Sequence, residues 1–171
     1  MGAGYHGGFG ATAGKILYRN DAGRENRKLN FSREDFLKLL DGITPQSTAV
    51  VQGIKDRKIL MSILGDDLFE NWLGVGRDTM AVARGNKIFL RYQSKSMSSD
   101  AVHEGTHAID YITGVSPIMG STIENELHAY REEHKFQKAA GLPLEFANDD
   151  EIIVHVFLNY RKEDKTRRKK R

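Results

Sequence analysis

The stretch Ser98-Ser-Asp-Ala-Val-His103-Glu104-Gly-Thr-His107-Ala-Ile-Asp-Tyr-Ile112 decides how this chain is read. Ser98 or Ser99 caps a helix, and Gly114 followed by Pro117 ends it. Ala101, Val102, Ala108 and Ile109 supply its apolar positions. Within it, His103, Glu104 and His107 form an HExxH pattern. Residues i and i+4 stack on one face of a helix, so two imidazoles can approach one ion. Glu104 projects beside that face, where it can take a proton from water. With 6 His and 11 Glu in 171 residues, chance yields the pattern in about one such chain in 75.

Upstream, Thr79–Ala83 and Lys87–Tyr92 flank Arg84-Gly85-Asn86. Gly85 and Asn86 supply the positive φ of a tight turn, so the segment is expected to be a β-hairpin. Before it, Ile59, Leu60, Ile63, Leu64, Leu68 and Trp72 recur at helical spacing, which predicts a helix over 56–73 with Trp72 in the core. Ala49–Val51 is apolar but of ambiguous type. Ser32 caps a helix to about Leu40, with Asp35 at its third position and Phe31 and Phe36 as a hydrophobic staple. Helices around a hairpin predict an α+β fold: a mostly helical domain with a small sheet beside the HExxH helix.

Downstream, Ser121 and Glu124 read as a capping box for a helix to Ala140, stopped by Gly141 and Pro143. A reversal through Gly114 and Pro117 would lay this helix antiparallel to the first. A catalytic zinc needs a third protein ligand and one open position. Glu126 is the preferred candidate. Glu124 is committed to the cap, His128 lies on another face, His134 is farther along, and Asp110 is carried away along its own helix. A final segment, Asp149 to about Lys162, reads as helix from Ile152, Ile153, Val156, Phe157 and Tyr160.

Composition narrows the classes. The chain has no Cys, which excludes disulfides, thiolate zinc ligands and a cysteine nucleophile. No apolar run approaches the 18 residues of a membrane span, and the N-terminus lacks the regions of a signal peptide. The net charge of +3 is uneven: residues 161–171 hold eight basic and two acidic side chains, leaving 18 basic and 21 acidic in 1–160. Such a tail attracts nucleic acid or anionic membrane, or is simply a solvated end. The expected layout is a Gly-rich flexible arm over 1–30, one domain over 31–162 and a basic tail over 163–171.

His103-Glu104-x-x-His107 followed by Asn125-Glu126 on a second helix resembles the gluzincin branch of the zincin metallopeptidases. The resemblance implies His103, His107 and Glu126 as ligands of Zn2+ and Glu104 as general base. At Tyr130 the chain departs from thermolysin-like enzymes, which carry there an acid that orients a histidine. Leu64–Trp72 and Val82–Tyr92, leading into the HExxH, look like small bacterial effector and polymorphic-toxin metallopeptidases. This implies an endopeptidase secreted or injected into a target cell, acting in its cytosol on chosen proteins, with a cognate immunity or inhibitor protein as a further partner.

In that mechanism zinc lowers the pKa of its water to about 7, Glu104 accepts the proton and later passes it to the leaving amine. The oxyanion needs another donor, for which Tyr130, His134, His155 and Tyr160 are candidates. Substrate is expected along an edge strand of the hairpin. Three rivals stand beside this reading. One is a nucleic-acid-binding module using the tail, which the acidic body disfavours. The others are a metal-dependent hydrolase of a non-protein substrate and an inactive zincin-fold interaction protein.

Overall fold

Helix α3, Met97–Ile112, is buried along most of its length beneath two helices and two strands. The computed structural model describes residues 17–19, 25–28, 32–92, 94–115 and 122–168, with side chains described from Ser32 to Tyr160. Strands β1 (Leu17–Arg19) and β2 (Glu25–Lys28) pair antiparallel within the stretch expected to be an arm. They precede α1 (Arg33–Lys38), α2 (Pro45–Lys55), β3 (Leu60–Leu64), β4 (Ala81–Arg84) and β5 (Lys87–Arg91). After α3 come α4 (Ile123–Ala139) and α5 (Asp149–Arg168). The fold is α+β and mostly helical, with one three-stranded mixed sheet ordered β3-β5-β4.

The hairpin forms as expected: Val82 faces Phe89, and Gly85 turns at φ +62°. α1 starts as expected, with the Ser32 hydroxyl accepting the amide of Asp35 at 3.0 Å; Phe31, the other half of the proposed staple, lies outside the described residues. Gly114 and Gly141 follow α3 and α4 at φ +76° and +67°, the left-handed ends expected of those helices. Pro117 lies outside the described residues.

The predicted helix over 56–73 is wrong. α2 extends through Lys55, and the chain reverses at Arg57, whose φ of +58° is unusual for a side-chain-bearing residue. Leu60–Leu64 then pairs parallel with β5, from Leu60 opposite Lys87 to Leu64 opposite Arg91. A parallel strand covered on its faces is a continuous apolar run, and over five residues such a run mimics helical spacing. Within the predicted span only 66–72 is helical, and Leu68–Trp72 there forms a single π-helical turn. Its Trp72 is 51% exposed and leans edge-on against Phe89 instead of entering the core. Arg91, buried on β5, ties this turn down through Asp66 at 2.7 Å and Glu70 at 3.2 Å.

The ambiguous stretch 49–51 lies inside α2, which opens with a reciprocal capping box between Thr44 and Ser47 and Pro45 in its first turn. The cap of α4 is also corrected. Thr122 is the N-cap and accepts the amide of Asn125, while Glu124 is exposed; Ser121 lies outside the described residues. α3 begins after Ser96 instead of Ser98 or Ser99. α5 continues six residues past Lys162, so the first part of the basic tail is helical.

Packing between α2 and α3 is close. A Cβ on Gly105 would stand 2.5 Å from Val50 Cγ1, and Gln46 Nε2 donates to the Thr106 hydroxyl at 3.1 Å. The small middle of the HExxH pattern is therefore occupied by α2.

Candidate metal centre

Four contacts align α4 against α3. Gln137 meets Ser99, Glu133 meets His103, Glu126 meets His107, and Asn125 meets Asp110. Numbers fall along one helix as they rise along the other, so the two helices run antiparallel, as the Gly114 reversal predicts.

At the middle of this seam, Glu126 Oε2 is 3.5 Å from His103 Nε2, and Glu126 Oε1 is 3.5 Å from His107 Nε2. One ligand atom from each residue lies within 4.8 Å of the others. A tetrahedral ion with bonds of about 2.0–2.1 Å has ligand–ligand edges of about 3.3–3.4 Å, close to these spacings. His103 and Glu126 are fully buried, and His107 keeps 11% of its side chain exposed. The two carboxylate oxygens of Glu126 and Nε2 of His107 are buried and make no hydrogen bond among the described residues. Buried polar atoms left this way are costly unless something else binds them. Two imidazoles and a carboxylate suit zinc and also accept other divalent first-row ions.

Glu104 is buried on α3 beside His103. Together with Glu126 and Glu133 it places three carboxylates around two imidazoles, an arrangement that demands positive charge. Burial opposes protonation of His103, but the Glu126 carboxylate 3.5 Å away, the bond to Glu133 and the charge of Glu104 outweigh it and raise its pKa to about 10. Burial likewise opposes ionisation of Glu126, yet His107 and His103 hold its pKa well below the usual carboxylate range.

The sequence reading missed Glu133. Its Oε2 lies 3.0 Å from Nδ1 of His103, which leaves Nε2 directed at Glu126. A second-layer carboxylate of this kind fixes ring orientation and raises ligand basicity. Gln137 donates to Glu133 Oε1 at 3.2 Å and accepts the amide of Glu145 at 3.2 Å, bracing the carboxylate from behind. The available signal was spacing, since 126, 133 and 137 share one face of α4.

Asp110 is buried, away from the Glu126 cluster as expected. It accepts from His128 Nδ1 at 3.0 Å and from Asn125 at 3.4 Å. Tyr130 and His155 are placed together. The Tyr130 ring packs against His103, centroid to centroid 4.4 Å, while its hydroxyl stands 3.2 Å from both Tyr160 Oη and His155 Nε2. Burial, then Tyr160, pushes the Tyr130 phenol far above its ordinary pKa, so it stays neutral. The Tyr130 hydroxyl thus meets two residues of α5. His134, also on α4, has a buried Nδ1 that makes no hydrogen bond among the described residues. No protein-family model matches this chain, and neither a curated protein nor a solved structure is significantly similar to it.

Proposed function

We propose that this chain is a zinc-dependent peptidase, with His103, His107 and Glu126 as metal ligands and Glu104 as general base. The observation that carries the reading is the convergence of Glu126 on both imidazoles at 3.5 Å, with Glu104 one residue from His103 on the same buried helix. When bound there, zinc supplies Lewis acidity and lowers the pKa of water to about 7.

The chain's own residues do the rest. Glu133 holds His103 by Nδ1 so that Nε2 faces Glu126, where it would be free to bind an ion. Glu104 accepts a proton from water and returns it to the leaving amine. Among the described residues β4 is an outer strand of the sheet, hydrogen-bonded to β5 on one side, and its other edge is where an extended peptide would add. Peptide as the substrate class, and delivery into a target cell, rest on the resemblance to zincin toxins and effectors.

The test is a peptide-library digest with zinc-loaded protein beside Glu104→Gln. The reading expects cleavage by the first and metal-replete inactivity in the second. Cleavage by Glu104→Gln at the wild-type rate would overturn it.

A further inference from the structure

We propose that Tyr111 is a specificity residue, its ring taking a large apolar side chain, aromatic by preference, of a peptide held at the candidate metal centre. Tyr111 would thereby set which peptides that site accepts, an assignment that rests on the peptidase reading.

A single exposed tyrosine says nothing by itself. The place of this one does. His103, His107 and Tyr111 follow one another at four-residue intervals on α3, so they share a face, with Tyr111 about 6 Å along the axis from His107. Side chains on a helix lean back toward its N-terminus, which carries the Tyr111 ring toward the turn that holds His107. Of the three proposed ligands, His103 and Glu126 are fully buried, and His107 alone keeps some exposure. Among the described residues the cluster is therefore reached from the His107 side. Tyr111 is 40% exposed, one turn farther along that same face.

The ring is also held in place. A Cβ added to Gly85 would stand 3.3 Å from Tyr111 Cε1 and 3.4 Å from Cζ, so one edge of the ring lies on the bare backbone of the β4–β5 turn. Tyr111 thus reaches from α3 to the end of β4, the outer strand along which an extended peptide would add. Strand edge and metal cluster, the two parts of the proposed site, meet at this side chain.

Its chemistry selects the occupant. A ring fixed along one edge loses little freedom on binding and offers a flat apolar surface beside a hydroxyl. Another aromatic ring stacks on it well, and a long aliphatic side chain covers it. A short or acidic side chain gains little there. A ring that only braced the turn against α3 would use the edge on Gly85 and have no effect on the choice of peptide.

The experiment measures binding without cleavage. Zinc-supplemented Glu104→Gln is titrated with labelled, end-blocked octapeptides in which Phe, Leu, Ala, Gln or Glu stands at each position in turn. One position should prefer Phe over Ala by about tenfold, the scale of one well-packed aromatic contact. Adding Tyr111→Ala should bring that ratio to about twofold or less, and Tyr111→Phe should preserve it. Tyr111→Leu, which keeps apolar bulk on the turn, serves if the alanine variant melts early, and should lower the preference for Phe over Leu about threefold. Because no bond is cut, a preference that depends on Tyr111 in a chain whose wild type cleaves nothing would retain this surface and remove the peptidase. The proposal is overturned if no position prefers Phe, or if the preference survives Tyr111→Ala in a folded protein or is unmoved by Tyr111→Leu. Equal weakening of every peptide by Tyr111→Ala would make the ring a brace for the turn and overturn it as well.

Discussion

Nδ1 of His103 lies 3.0 Å from Oε2 of Glu133, two helical turns beyond Glu126 on the same face of α4. α4 therefore supplies both a proposed ligand and the group that orients another. Glu133→Ala is expected to weaken zinc affinity about 10–100-fold while leaving the three ligands in place. Chelator competition measures this directly. Unchanged affinity would show that His103 is held by its packing alone.

Glu104 has the opposite profile. Glu104→Gln should retain zinc and lose about 10²–10⁴ in turnover, the usual range for a positioned general base. Metal analysis and peptide cleavage on one preparation separate the two effects. Loss of metal in this variant would move Glu104 from base to ligand.

Tyr130 is predicted to be structural through its hydroxyl. Tyr130→Phe removes contacts to Tyr160 and His155 and should cost about 1 kcal/mol in denaturant melts, with zinc content and cleavage unchanged. A large fall in kcat at unchanged stability would instead make Tyr130 the oxyanion donor.

How much of this was legible beforehand varies by element. The hairpin and α3 follow from local signals, Gly85-Asn86 in the turn and a pattern confined to one helix. Glu126 was found because a capped helix after Gly114 has one natural way back. Glu133 shares a face with Glu126 by its i+7 spacing, but only the packing of α4 on α3 distinguishes it from the other acids of that helix. β3 was misread because parallel pairing with β5, a long-range fact, decides the conformation of Leu60–Leu64. Trp72 then followed the misread helix into a core it does not occupy. α2 was recoverable from Thr44-Pro45-x-Ser47, a capping signal stronger than the apolar residues after it.

Gly105 gives a stability prediction independent of any metal. Gly105→Ala drives a methyl to 2.5 Å from Val50 Cγ1 and should destabilise by about 1–3 kcal/mol, more than helix propensity returns. Val50→Ala in the same chain should recover part of that loss, which a double-mutant cycle in urea would show as coupling. Strict additivity would mean that α2 shifts freely away from α3.

The most direct test is metal stoichiometry of the purified chain and of Glu126→Ala after dialysis against limiting zinc. The account predicts one tightly held ion per wild-type chain and loss of most of it in a Glu126→Ala protein that still folds. A wild-type chain that retains no zinc, or a Glu126→Ala chain that retains it fully, would contradict the proposal that α3 and α4 meet to bind a cation.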